Sequence, residues 1–142
     1  MVEIVFEPEP LPETRSAIFD CLLDHNMKAT GGAYGPPEPF AFSLRDPATG
    51  AANGGLTGRI LFGWMFVELL AVPKSLRGQG LGLTLMQRAE ALARERQCLG
   101  IWLDSFSFQA PGFYKKLGFT EFGAIADYPP GHIRHFLLKH LK

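Results

Sequence analysis

The feature that most constrains the fold of this chain is a glycine-rich segment between an apolar run and an amphipathic run. Arg77-Gly78-Gln79-Gly80-Leu81-Gly82 follows the apolar residues Trp64 to Val72 and precedes Leu83 to Arg96, where apolar residues recur at helical spacing. The residues Leu99 to Leu103 then form a short apolar run typical of a buried strand. Strand, glycine turn, helix and strand in this order predict a parallel, right-handed crossover.

The glycines predict a site for a phosphorylated ligand at the start of this helix. Gly78, Gly80 and Gly82 lack side chains, so a ligand can approach backbone N–H groups that carry the positive end of the helix dipole. The segment has neither the lysine nor the hydroxyl residue of a Walker-type loop, and Leu83 and Leu85 stand where a dinucleotide fingerprint needs its third glycine. Both of those nucleotide-binding motifs are therefore excluded.

Two motifs together resemble the GCN5-related N-acetyltransferase (GNAT) superfamily. Arg77-x-x-Gly80-x-Gly82 is similar to the pyrophosphate-binding motif for acetyl-CoA, and Ala110 to Phe119 resembles the family's A-x-x-F-Y-x-K-x-G-F signature. The resemblance implies acetyl-CoA as acyl donor and a primary amine as acceptor. The residues that it implies in binding the cofactor at the glycine motif are Arg77, Gly78, Gln79, Gly80, Leu81 and Gly82. For Arg77 the alternative is a side chain that points outward while the backbone binds the pyrophosphate.

The resemblance also implies the fold. We expect an α/β (α+β) GNAT fold over residues 1–142 as a single domain, with one mixed central sheet of about six to seven strands flanked by about four helices. The alternation of Val2, Ile4 and Phe6 predicts a first strand, and a helix is predicted from Pro12 to about Met27. The other predicted strands are Phe40 to Leu44, Gly55 to Leu61, Trp64 to Val72, Phe119 to Ile125 and His132 to Leu138.

Composition argues against nucleic-acid and membrane partners. Fourteen basic and fourteen acidic residues balance, so no broad electrostatic footprint is expected. The sequence has neither a signal-peptide pattern nor an apolar run of about 18 residues, which predicts a cytoplasmic protein. The two cysteines, Cys21 and Cys98, lie in apolar segments and are expected to fill the core as thiols. No histidine spacing suggests a metal site, so no metal is predicted.

Acetyl transfer to an amine requires a base. An alkyl amine with a pKa of about 10 is mostly protonated at neutral pH and must lose a proton before it attacks the thioester. Glu68 is the candidate, because it is a carboxylate within the otherwise apolar run Trp64 to Val72. The alternative is a structural ion pair with Arg59 or with a basic residue near the C-terminus.

The resemblance implies two further catalytic elements. Backbone N–H groups at Leu69, Leu70 and Val72 would stabilise the oxyanion and bind the pantetheine arm where this strand splays from its neighbour. Tyr114 would donate a proton to the departing thiolate, the alternative being a core tyrosine with its hydroxyl on a backbone carbonyl. Ser107 replaces an asparagine that family members often carry and would make only part of that amide's contacts with the cofactor.

The acceptor pocket is the least constrained part of the sequence. Acidic side chains would suit a cationic amine, and aromatic side chains would suit an apolar or aromatic amine. His132 would add a second titrating group, and the alternative is an ordinary hydrogen-bonded histidine. The candidate acceptor-binding residues are Tyr34, Trp64, Asp104, Phe108 and His132. For Phe108 the alternative is a place in the core. The sequence has no strongly acidic patch, which favours a small molecule over a basic protein tail. Two alternatives stay open: a protein lysine or N-terminal acetyltransferase, and a non-catalytic acyl-CoA sensor. A homodimer is a further possibility, because the aromatic C-terminal strands could provide an edge for it.

Overall fold

A computed structural model describes all residues from Met1 to Lys142, which form two compact units, Met1–Pro36 and Pro37–Lys142. The first unit contains one helix, α1 (Pro12–Ala29), with a proline in its first turn, as the sequence predicts. The strand predicted from Val2 to Phe6 is wrong, because this segment has no hydrogen-bonded partner strand. Alternating apolar residues supply the side-chain pattern of a strand but not the ladder that defines one.

The second unit is built on a mixed sheet of six strands in the order β1-β2-β3-β4-β6-β5. Its elements in chain order are β1 (Glu38–Arg45), β2 (Ala52–Leu61), β3 (Trp64–Ala71), α2 (Leu81–Glu95), β4 (Gly100–Phe106), α3 (Pro111–Lys116), β5 (Thr120–Ala126) and β6 (Ile133–His140). Only β3 and β4 are parallel, and α2 connects them as the predicted crossover. The prediction of a mixed α/β sheet is confirmed. The structure has three α-helices, and the one-turn 3-10 helix Lys74–Leu76 is its only other helical segment.

The core lies on the face of the sheet that α2 covers. Side chains alternate along β3 and β4, so Met65 and Val67 of β3 and alternate residues of β4 from Ile101 to Ser105 are buried on this face. The core residues contributed by β3, β4 and α2 are Met65, Val67, Ile101, Leu103, Leu85, Met86, Ala89 and Ala93. Cys98 joins this core as predicted, whereas Cys21 is exposed, because no residue of α1 is buried.

The sheet opens between its two parallel strands. The β3–β4 ladder ends at the pair Val67 and Leu103, whereas β4 continues to Phe106 against β6. The register between β2 and β3 also shifts at this point, so that Glu68 is the extra residue of a β-bulge. We call the opening between Glu68–Ala71 and Asp104–Phe106 the β3–β4 gap.

Candidate active site

The glycine segment forms a loop whose inner surface is backbone. Gly78 and Gly80 have φ angles of 80° and 76°, a left-handed conformation that L side chains rarely adopt. Nothing lies within 4 Å of the position that a Cβ would take at either residue. Helix α2 begins at Leu81 without a side-chain cap, which leaves the N–H groups of its first turn for an outside acceptor. The loop therefore fits the pyrophosphate of acetyl-CoA.

The Arg77 side chain is hydrogen-bonded to the residue that directly follows β3. Its Nε donates a hydrogen bond to the backbone oxygen of Val72 at 3.1 Å, while the side chain stays exposed. In this conformation Arg77 braces the loop, and the backbone of Gly78, Gln79 and Gly80 is left to face a ligand.

The β3–β4 gap leaves one side of a strand backbone without a partner. Leu69, Leu70 and Ala71 pair with β2, and no residue of β3 beyond Val67 pairs with β4. The main-chain groups that the resemblance assigns to the oxyanion and the pantetheine arm therefore border an opening in the sheet, directly before the glycine loop.

Glu68 is exposed on the bulge rather than buried in the apolar run that surrounds it. It makes no ion pair, and the proposed partner Arg59 instead lies 4.9 Å from the centre of the Phe66 ring. The structure thus does not contain the structural ion pair considered as the alternative. Glu68 is a carboxylate with water access at the edge of the β3–β4 gap.

Tyr114 presents a phenol with no hydrogen-bond partner in the chain. Helix α3 packs the residue against the core cluster, with its ring 5.1 Å from that of Phe113 and 6.1 Å from that of Phe119. A Cβ at Gly82 would lie 3.6 Å from the Phe113 ring, so α3 contacts the first turn of α2 beside the glycine loop. Burial and the negative charge of Asp104 raise the pKa of Tyr114 to about 12. The phenol is therefore a neutral hydrogen-bond donor at physiological pH.

Asp104 is already paired. The Arg134 guanidinium contacts it through Nε at 3.0 Å and through the second terminal nitrogen at 2.8 Å. Both side chains lie on the sheet face opposite α2, as alternation along β4 requires. Asp104 is consequently not a free anion for an ammonium group.

Arg134 and Tyr128 are site residues that sequence analysis missed. Arg134 lies 5.0 to 5.3 Å from the centres of the Phe106, Tyr128 and Phe136 rings, and it donates a hydrogen bond to the Tyr128 hydroxyl at 3.0 Å. A carboxylate at position 104 in a buried strand signals the need for a cationic partner. The sequence does not say which one, because the answer depends on the register between β4 and β6.

We expect Arg134→Met to lower the free energy of unfolding by about 2 kcal/mol, because it leaves the Asp104 carboxylate unpaired when only 12% of that side chain is exposed. Urea unfolding measures the effect. The double variant Asp104→Asn/Arg134→Met serves as control and should recover part of the loss. Equal destabilisation by the single and double variants would contradict this account of the pair.

The Ser107 side chain, directly after β4, makes its hydrogen bonds with residues at the start of β6. Its hydroxyl lies 3.2 Å from Nδ1 of His132 and accepts a hydrogen bond from the backbone N–H of Ile133 at 3.1 Å. These contacts fix the turn that precedes β6, and they hold His132 at the end of the sheet where the β3–β4 gap opens. The predicted contact of Ser107 with the cofactor is not tested and stays a prediction.

The remaining predicted residues are not gathered in one place. Phe108 is 57% exposed and lies beside His132, with ring centres 5.0 Å apart. Trp64 begins β3 and packs against His140, at the opposite end of that strand from the glycine loop. Tyr34 belongs to the Met1–Pro36 unit, in the segment after α1. The assignments of Trp64 and Tyr34 to an acceptor pocket stay predictions.

None of the three α-helices has the length and apolar character needed to cross a bilayer. No group of three or more His, Cys, Asp or Glu side chains is arranged so that it could hold a metal ion.

Comparison with known proteins gives consistent matches. Residues 5–119 match the model of the acetyltransferase (GNAT) family. Blasticidin-S acetyltransferase from Streptomyces morookaense is 46% identical over 93 residues, which are 65% of this chain and 68% of that protein. A crystal structure of an acetyltransferase from Agrobacterium tumefaciens is 31% identical, with a TM-score of 0.88 over 99% of this chain and 100% of that one.

A more distant structural neighbour was solved with acetyl coenzyme A. It is a streptothricin acetyltransferase from Bacillus anthracis, 20% identical, with a TM-score of 0.64 over 75% of this chain and 65% of that one. At this identity the likeness concerns the fold alone.

Proposed function

Because the chain belongs to the acetyltransferase (GNAT) family and is an N-acetyltransferase, we propose that it transfers the acetyl group of acetyl-CoA to a primary amine of a small molecule, by direct attack of the amine on the thioester. One observation carries the proposal. The β3–β4 gap has an exposed carboxylate, Glu68, on its rim. The Tyr114 hydroxyl, which has no hydrogen-bond partner within the chain, adds support.

Donor and acceptor approach this gap from opposite faces of the sheet. The glycine loop leads directly into α2, which covers the core face, so the pantetheine arm enters from that side. The acceptor then enters from the other face, which carries Asp104, Phe106 and Arg134. Glu68 is exposed rather than buried under α2, so its carboxylate is open to water and to an incoming ammonium group.

Glu68 removes the proton that blocks attack. The carboxylate attracts the ammonium form of the acceptor and orients a water molecule that carries the amine's proton to bulk solvent, so that the neutral amine attacks the thioester. Backbone N–H groups among Leu69, Leu70 and Val72, at the gap and directly after it, stabilise negative charge on the thioester oxygen as it develops. Neither role requires a covalent acetyl-enzyme.

Tyr114 stabilises the leaving thiolate by donating a hydrogen bond. A thiol has a pKa of about 8.5, so full proton transfer from a phenol with a pKa of about 12 would be uphill by about 5 kcal/mol. A hydrogen bond to the developing thiolate carries no such cost. This refines the acid role expected from the sequence.

Similarity to a blasticidin-S acetyltransferase supports a small-molecule acceptor, and an amine-bearing antibiotic is the first class to test. A protein acetyltransferase and a non-catalytic acyl-CoA sensor are the alternatives. A cytoplasmic location, a single functional domain and a homodimer formed through edge strand β5 belong to the same proposal.

The direct experiment is a thiol-release screen of acetyl-CoA with blasticidin S, streptothricin, polyamines, aryl amines and a lysine peptide, with products identified by mass spectrometry. The proposal predicts acetylation of at least one small amine and little turnover of the peptide. Preferential acetylation of the peptide would favour the protein-substrate alternative, and acetyl-CoA binding without turnover would favour the sensor.

We expect Glu68→Gln to lower kcat/KM for the acceptor by about 100-fold at pH 7, with a smaller loss near pH 10, where a growing fraction of the amine is already neutral. Rates of thiol release across this pH range measure the effect. The matched control is Glu95→Gln, which changes a glutamate that is 71% exposed at the end of α2 and should leave the rate unchanged. A loss of equal size at every pH would instead assign Glu68 to substrate positioning.

A further inference from the structure

Aromatic side chains line the end of β4 on the acceptor face of the sheet. The rings of Phe106 and Phe108 stack with centres 5.3 Å apart and an interplanar angle of 12°. The centre of the Tyr128 ring lies 5.5 Å from that of Phe106, and the His132 and Phe108 rings are nearly perpendicular, at 84°, with centres 5.0 Å apart. We call these four residues the aromatic wall.

Hydrogen bonds hold the backbone that carries Phe106 and Phe108 in place. The backbone N–H of Phe106 donates to the Gln109 side chain at 2.9 Å, and the N–H of Gln109 donates to the Phe106 carbonyl at 2.8 Å. The Ser107 N–H donates to the Ile133 carbonyl at 2.8 Å, which ties this turn to β6. A turn that is already ordered in this way loses little backbone entropy when a ligand stacks on its rings.

Packing within the protein accounts for part of the wall but not for Phe108. Phe106 and Tyr128 both flank the Arg134 guanidinium, at 5.2 and 5.0 Å. Phe108 touches only Phe106 and His132 among ring and cationic groups, and it remains 57% exposed. An ordered phenylalanine exposed beside a catalytic opening is a contact surface for a ligand.

Electrostatics favours the same kind of ligand. Arg134 neutralises Asp104, so the face beyond Phe106 presents ring surfaces rather than a free anion. Glu68, across the β3–β4 gap, supplies the negative charge for an ammonium group. The acceptor face therefore combines a carboxylate on one side of the gap with a stacking surface on the other.

We infer that the aromatic wall selects acceptors whose primary amine is attached to a flat conjugated ring system, with the ring stacking on Phe108 while the amine reaches the β3–β4 gap. This inference rests on the proposed function and specifies the acceptor class of the same site. Stacking of a flat ring on an aromatic side chain depends little on which ring it is, and it contributes about tenfold or more in affinity.

The test compares two amines that differ in the ring. At saturating acetyl-CoA, wild-type protein should have a higher kcat/KM for tryptamine than for n-hexylamine. Phe108→Leu keeps apolar bulk and removes the ring face; it should lower kcat/KM for tryptamine about tenfold, through KM, and leave n-hexylamine within twofold. The control is Phe122→Leu, which removes an aromatic ring that is 55% exposed on β5 and should alter neither amine.

A second readout does not require turnover. The imidazole NMR signals of His132 in the CoA-loaded protein should shift on addition of tryptamine and not of n-hexylamine, and Phe108→Leu should abolish the shift. The inference is overturned if Phe108→Leu affects both amines equally or neither, or if tryptamine leaves the His132 signals in place. Shifts in a protein that acetylates no amine would uphold the aromatic wall and reject the proposed function.

Discussion

Gly80→Glu is expected to abolish measurable acetyl-CoA binding, weakening it at least about 100-fold. Gly80 caps α2 with a φ of 76°, and the space beside it is open, so the new side chain would project into the region where a pyrophosphate meets the helix N-terminus. A carboxylate there repels the ligand's charge and occupies the N–H groups that would bind it. Titration calorimetry with acetyl-CoA measures the loss.

The control for Gly80→Glu must separate backbone strain from the local effect on binding. Gly63 has a φ of 79° in the turn before β3, at the other end of that strand from the glycine loop and about 25 Å away. Gly63→Glu therefore introduces the same charge at a similar positive φ, away from the proposed site, and should retain binding. Loss of binding in both variants, or in neither, would contradict the assignment of the loop.

Tyr114→Phe is expected to lower kcat about 100-fold while leaving the dissociation constant for acetyl-CoA within twofold. The substitution removes one hydroxyl that has no hydrogen-bond partner in the chain, so it creates no unsatisfied group and should not cost stability. Single-turnover thiol release measures the chemical step, and calorimetry measures binding.

The pH dependence of the Tyr114→Phe defect follows from the pKa of the phenol. Burial and the charge of Asp104 raise it to about 12, so the hydroxyl is a donor throughout the range in which the enzyme can be assayed. The ratio of wild-type to variant rates should thus be constant up to about pH 11. A ratio that declines between about pH 7 and 9 would show a phenol with a much lower pKa and a different role for Tyr114.

The local structure of those parts of the candidate site that lie within one continuous segment could be predicted from sequence. The Arg77 to Gly82 loop, Glu68 in its strand and Tyr114 in its short helix each depend on residues close in the chain, and turn and helix patterns report such local structure. The crossover from β3 through α2 to β4 was predictable for the same reason. The segment from Val2 to Phe6 shows the limit, since its alternation lacks a partner strand.

The acceptor side could not be predicted, because it is assembled by pairing between distant strands. Asp104 meets Arg134, and Ser107 meets His132, only because β4 and β6 pair in one particular register. A shift of one residue would send each of these side chains to the other face of the sheet. The sequence identified Phe108 and His132 as candidates, but the contact between their rings is a product of tertiary structure.

The most direct test of the account is an initial-rate study of thiol release in which acetyl-CoA and the acetylated amine are both varied. Direct attack across the β3–β4 gap requires both substrates to be bound together, so double-reciprocal plots should intersect, and no thiol should be released in a burst without amine. Parallel lines, or a stoichiometric burst from acetyl-CoA alone, would reveal an acetyl-enzyme and contradict direct transfer at this site.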